Sequence, residues 1–401
     1  MSSPDPIDTS SAKQARNSGI DALRGLAIVL VVLHHIGLRL PLRKGILADF
    51  APLPLLDALN YNGYEAVFVF FVLSGFLIAT TSLQRWDSLD RIDAQAFYAR
   101  RFARIVPCLL LLVGVLAVLH LAGATDYVIT REGQSLPHAI AAALGLHLNW
   151  YEGATGYLPG GWDVLWSLSI EEVFYLAFPL LCLLVRRSGW LVCILLALAL
   201  SLPYSRAALE GNEIWQEKAY LPGMAAIATG VLAALFAANV QPRAWLVRLL
   251  LTLGSIGLAA VLFVEGWLWK GLGLGNGTML VLTFATAFLV IGLHWHGASG
   301  AARALKGLGW LRSCGRLSYE IYLTHMFVVF AFVGMFKASG GDIRYGILWY
   351  LPSVPLTWLL GAALARGFSI PCDRALRRLL LKRPARAQDI LSTRIPEKMS
   401  T

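Results

Sequence analysis

The chain has 401 residues, 57% of them hydrophobic and only 14% charged, with a formal net charge of +10 and a mean hydropathy of +0.63. Soluble domains carry about 25% charged residues, and a core of this size cannot hide so much apolar surface. A soluble enzyme, a disordered chain and a disulfide scaffold are therefore excluded, and an all-α polytopic membrane protein remains.

A helix needs roughly 20 apolar residues to cross a bilayer. In chain order ten runs qualify: about 20–40, 65–84, 105–124, 164–185, 188–204, 220–238, 246–264, 276–295, 317–336 and 346–366. The first run keeps Arg24 and two histidines and has no small-residue cleavage site behind it. It reads as a retained span and not as a signal peptide. A weaker run at 136–150 holds His138, His147 and Asn149 and reads as a re-entrant or surface segment.

Direction follows from the basic residues. With the N-terminus inside, the inside segments hold 25 of the 34 Lys and Arg, whereas the outside segments hold 12 of the 24 acidic residues and the inside ones 9. The positive-inside rule thus predicts about ten transmembrane helices with both termini cytoplasmic. The expected organisation is a polar N-terminus over 1–19, a transmembrane domain over 20–370 and a basic tail over 371–401, with the stretch from 374 against anionic membrane lipids. Because the charge follows the loops and no single face, nucleic acid is not an expected partner. Cys108, Cys182, Cys193, Cys314 and Cys372 are odd in number and scattered, so they read as small core residues.

Charged and polar side chains inside spans are costly and mark where chemistry belongs. In the first span, Arg24 and His35 are 11 residues apart, nearly three whole turns, so they share a face roughly 16 Å apart along the axis. His34 points about 100° away. A neutral imidazole at His35 is suited to taking a proton from a hydroxyl near pH 7. At the cytoplasmic start of the third span Arg101 and Arg104, at i and i+3, share a face. Their forks match phosphate geometry, which makes a nucleotide-bearing ligand natural, although plain membrane anchoring also explains them. The fourth span opens with Glu171 and Glu172. Adjacent on a helix, they are expected to diverge, with at least one facing a polar cavity to orient a histidine or arginine. In the ninth span Glu320 lies near the cytoplasmic boundary and His325 about a turn and a half deeper. Both suit helix-to-helix hydrogen bonding as well as substrate contact. His294 and His296 alone are a weak metal pattern, and no metal is expected.

Five stretches, RGLAIVLVVLHH, FFVLSGFLI, YARRFARIVP, WSLSIEEVFYLAFP and LSYEIYLTH, taken in this order resemble the bacterial membrane-bound acyltransferase-3 family over about residues 18–370. The resemblance implies transfer of an acyl group, often acetyl, from cytoplasmic acyl-CoA to a hydroxyl of a cell-surface or exported glycan or lipid-linked sugar. It implies a multi-pass protein of the bacterial inner (plasma) membrane. Acyl-CoA is then a co-substrate, and no permanently bound cofactor is implied. The family's arginine–histidine motif falls on Arg24 and His35, its paired arginines, associated with the acyl-CoA side, on Arg101 and Arg104, and its Glu-Glu element on Glu171 and Glu172. An acidic residue that many members carry before FFVLSGF is replaced here by Phe68, with Glu65 one turn earlier. The hydrolase-like domain appended in some members is not seen. Ser74-Gly75 suits close helix packing, or a narrow pantetheine arm.

Other functions fit the same residues. The acceptor is open between a glycan and a lipid, antibiotic or other small metabolite, and His35 acts either as a general base or as a transiently acylated nucleophile. A proton-coupled transporter relaying through His35 and Glu172 is the alternative from another class. The sequence shows neither the repeats nor the matched interrupted spans of a transporter.

Overall fold

A computed structural model describes residues 17–298 and 307–381. All the regular elements among these residues are helical. The first span is α1 (Ser18–Gly37), opened by Asn17, whose side chain accepts from the Gly19 and Ile20 amides and satisfies donors the helix leaves unpaired. A short α2 (Leu53–Tyr61) leads to the second span, α3 (Gly63–Trp86), and the third, α4 (Ala94–Leu121). The weak run forms two short helices, α5 (Leu136–Leu144) and α6 (Leu148–Thr155), neither long enough to cross.

The fourth span comprises α7 (Gly160–Asp163) and α8 (Trp166–Leu184), the fifth α9 (Ser188–Leu200) and α10 (Leu202–Ala207), and the sixth α11 (Glu213–Lys218) and α12 (Tyr220–Asn239). Then follow α13 (Ala244–Gly266), α14 (Thr278–Ala298), the short α15 (Gly309–Arg316), α16 (Ser318–Ala338) and α17 (Ile347–Leu364). A wide π turn at Ala365–Ser369 joins α17 to α18 (Ile370–Leu380) without breaking the rod. The ten helical segments long and apolar enough to cross a membrane fall on the ten runs read from the sequence.

Two element boundaries differ from the hydropathy reading. The third span starts 11 residues before the expected 105, because Asp93 caps α4 by accepting from the Ala96 amide, and the polar turns that follow stay helical. YARRFARIVP therefore lies within a helix and not in a loop. Hydropathy ends where charge begins, but a capped helix does not. At the other end, residues from Ile370 to Leu380 form α18, which packs along α4. The rest of the basic tail, 382–401, and the segment 1–16 lie outside the described residues.

The inner layer is α1, α3, α12, α14 and α16, and the outer helices α9 and α13 turn Leu196, Ile256 and Phe263 outward, as a lipid-facing surface requires. The tightest crossings rest on glycine. A Cβ on Gly75 of α3 would collide with the Ile227 carbonyl of α12, and one on Gly230 would meet the Val72 carbonyl. Backbones approach this closely only at small residues, so the packing role of Gly75 is realised. Cys108, Cys182 and Cys314 are buried as expected, but Cys193 is exposed and Cys372 half-buried. The core reading of the cysteines fails for Cys193, because α9 is a peripheral helix with a wide outward face.

Candidate functional site

At the end of the bundle that carries Arg24, a cavity of about 510 Å³ opens between α1, α3, α4, α8, α15, α16 and α18. Five arginines line it: Arg24, Arg101, Arg104, Arg316 and Arg377. The i, i+3 spacing on α4 turns Arg101 and Arg104 to one face, as anticipated, and both reach the cavity. Each is engaged there by internal carboxylates.

Arg101 Nη2 lies 3.8 Å from Glu171 Oε1 and 3.7 Å from Glu172 Oε1, with its guanidinium 3.6 Å over the Tyr175 ring. Tyr175 donates to Glu171 Oε1 at 2.5 Å, and Ser74 donates to the same oxygen. The two glutamates thus converge on one cation. The expected divergence of adjacent positions does not hold, because both side chains are long enough to bend round to Arg101. Glu172 Oε1 itself is buried without a hydrogen-bond partner, so its tie to Arg101 is charge at a distance.

Arg104 Nη1 pairs with Glu320 Oε1 at 2.7 Å and donates to Ser369 Oγ at 3.0 Å, which donates in turn to Glu320 Oε1 at 2.7 Å. The Tyr319 ring lies under the same guanidinium at 4.9 Å. Arg24 donates from Nη2 to Ser318 Oγ at 2.8 Å, joining α1 to the start of α16. The four residues that the sequence placed near one membrane boundary, Arg24, Arg101, Arg104 and Glu320, do line one cavity.

His35 does not line it. Three histidines cluster beyond its inner wall, with ring centroids 5.3 Å apart for His34–His35 and 4.9 Å for His35–His325. Each places Nδ1 on a backbone oxygen: His34 on Asn60 at 2.9 Å, His35 on Val31 at 2.9 Å, His325 on Tyr322 at 2.7 Å. A carbonyl only accepts, so the neutral rings carry their proton on Nδ1 and keep a lone pair on Nε2. His325 Nε2 is buried and has no partner. A group able to give a proton or a hydrogen bond is what this face is built to receive.

Tyr322 is the partition. It lines the cavity, and its ring centroid is 5.8 Å from that of His325. Its hydroxyl donates to the Val164 carbonyl at 2.8 Å, so Ser167, 2.7 Å away, donates to Tyr322. Arg39 closes the far side, donating to the His35 carbonyl at 2.9 Å. Tyr175, Tyr322 and Ser369 escaped the sequence reading. The first two had a signal, since they sit four residues after Glu171 and three before His325 and so share their faces. Glu65 is buried and does not line the cavity, and neither does Phe68.

A family model described as an acyltransferase domain, Acyl_transf_3, matches residues 17–371. The chain belongs to this family. The family is the one that the five stretches of sequence resembled. O-acetyltransferase OatA of Staphylococcus aureus is 25% identical over 378 residues, covering 88% of this chain and 56% of the relative. Peptidoglycan O-acetyltransferase OatA of Listeria monocytogenes is 27% identical over 216 residues, covering 51% of this chain and 29% of the relative. The chain thus spans about half the length of the curated relatives it matches. No solved structure matches it.

Proposed function

We propose that this protein is a bacterial inner-membrane O-acyltransferase that moves an acetyl group from cytoplasmic acyl-CoA to a hydroxyl of a cell-surface or exported glycan. The observation that carries this reading is the continuity of the site: an arginine-lined cavity at one end, then Ser167 and Tyr322, then His325 and His35 with open Nε2 atoms. The arginines suit a donor bearing phosphates, and the imidazoles suit an acceptor hydroxyl.

In this mechanism the donor enters from the arginine-lined end, with Arg24, Arg101 and Arg104 along its path and the thioester pointing to Tyr322. The acceptor arrives from the opposite end, near Arg39. His35 Nε2 takes the hydroxyl proton as that oxygen attacks the thioester carbonyl. The carbon–sulfur bond breaks, and the proton leaves with CoA as its thiol. Glu171 and Glu172 hold Arg101 in place and leave a net negative wall behind it. Its similarity to peptidoglycan O-acetyltransferase OatA makes peptidoglycan the first acceptor to try.

The test uses sealed membranes containing the full chain, supplied with acetyl-labelled acetyl-CoA on the side of residues 85–104. Label should move to glycan on the other side with ion gradients collapsed. Uptake that needs a gradient and leaves the thioester intact would make the protein a transporter. An impermeant thiol reagent checks the sidedness in intact cells carrying Arg131→Cys or Arg91→Cys. It should reach position 131 and spare position 91.

A further inference from the structure

Beside Arg24, which donates to Ser318, the cations of the cavity form two sets. Arg101 and Arg104 face three carboxylates, Glu171, Glu172 and Glu320, so the inner set is already overcompensated. A phosphate bound there would have to displace a partly buried carboxylate or lie beside it, and either costs more than one new ion pair returns. The outer set is the reverse. Arg316 is exposed and has no ion-pair partner among the described residues. Arg377 gives only Nε to Asp373, at 2.8 Å, and keeps its Nη donors for other use. Arg85 and Arg100 lie within electrostatic reach of Arg377, and Arg100 Nε is buried without a partner. Like charges gathered this closely are relieved by an anion.

We infer that Arg316 and Arg377 hold the phosphates of a nucleotide-bearing donor at the rim of the cavity, while Arg101 and Arg104 stay paired to their glutamates deeper in. The assignment rests on the acyl-CoA reading above and moves the phosphate contacts from the α4 arginines to α15 and α18. Asp373 is then an internal competitor, holding Arg377 until a phosphate outbids it. A fork with five donors serves such phosphates better than a point charge does.

The experiment titrates CoA and 3′-dephospho-CoA into the full-length protein in discs of zwitterionic lipid. R316Q and R377Q should each weaken CoA binding about tenfold, R377K should recover only part of the loss, and added salt should shrink the differences. D373N should tighten binding severalfold, whereas a purely structural Arg377–Asp373 pair would make D373N and R377Q lose together. CoA affinities within twofold of wild type for both arginine variants would overturn the assignment. So would a second titration, in discs with added anionic lipid, in which R316Q and R377Q alter CoA binding there and not in zwitterionic discs, since the ligand of the rim arginines would then be a headgroup. Wild-type protein that binds no CoA would instead sink the donor reading beneath the proposal, and the two failures are told apart by the wild-type titration.

Discussion

Two cations in this molecule each lie between two carboxylates, at opposite ends of the bundle. At the end that holds the cavity, Arg101 stands 3.8 and 3.7 Å from Glu171 and Glu172, with side-chain exposures of 25%, 26% and 13%. At the other, Lys218 meets Glu152 at 2.9 Å and also Asp163, with Lys218 at 3% and Glu152 at 0%. The second cluster has every mark of a clasp. Glu152 also accepts from the Leu158 amide at 3.0 Å, Asn149 donates to the Lys218 carbonyl at 3.0 Å, and the Tyr157 ring lies 4.3 Å under the ammonium. It ties α6, α7 and α11 together. Burial and the nearby Asp163 push the Glu152 carboxyl well up, and the Lys218 ammonium opposes them. The first cluster is looser and faces open volume. The same charge arrangement serves cohesion where it is sealed and substrate where it is left ajar.

The largest effect expected separates chemistry from cohesion. His35→Ala should lower acetyl transfer by about 10²–10⁴-fold, the usual contribution of a positioned base, with acyl-CoA affinity and thermal unfolding unchanged. Residual transfer within tenfold of wild type in folded protein would move the base to His325. Next comes the clasp. Lys218→Met leaves the buried Glu152 and the half-buried Asp163 without their cation and should destabilise the protein by about 3–5 kcal/mol, read as a fall in the unfolding midpoint. Its activity per folded molecule should stay close to wild type, and an activity loss without a stability loss would erase the distinction between the two clusters. The smallest effect is expected for Glu172→Gln. Its 3.7 Å pairing lacks a hydrogen bond and should contribute less to stability than the Lys218 clasp, while transfer should fall on the order of tenfold as Arg101 shifts toward Glu171. A stability loss as large as that of Lys218→Met would show the cavity cluster to be a second clasp.

Hydropathy made the ten spans legible, because lipid enforces length and composition on every crossing helix. Helical arithmetic also placed Arg24 and His35 correctly on one face, and Arg101 beside Arg104. Two things were beyond its reach. A helix that runs on past the apolar stretch, as α4 does at its N-terminus, is set by a cap and by tertiary packing and leaves no mark in hydropathy. Partners across helices are the other gap: Arg104 meets Ser369 and Glu320, and Ser167 meets Tyr322, over separations in sequence that no local spacing encodes. For the same reason the histidine at 325, ambiguous on its own helix, acquires meaning only beside His35.

The π turn between α17 and α18 carries a consequence for the length of the chain. A π turn holds one residue more than a regular turn spans, so it rotates everything after it by about 100° relative to an uninterrupted helix. Ala365–Ser369 thereby sets which edge of α18 looks inward, and Ser369 itself sits on the Arg104–Glu320 pair. Gly367 in the middle has open space around it, so a side chain there would be tolerated, whereas loss of the residue would not. Removing that single residue would restore a regular helix, swing Arg377 off the cavity and withdraw the Ser369 hydroxyl from Glu320 in one stroke. At this joint the count of residues sets which face of α18 the bundle receives, alongside the Ser369 hydroxyl it delivers to Glu320.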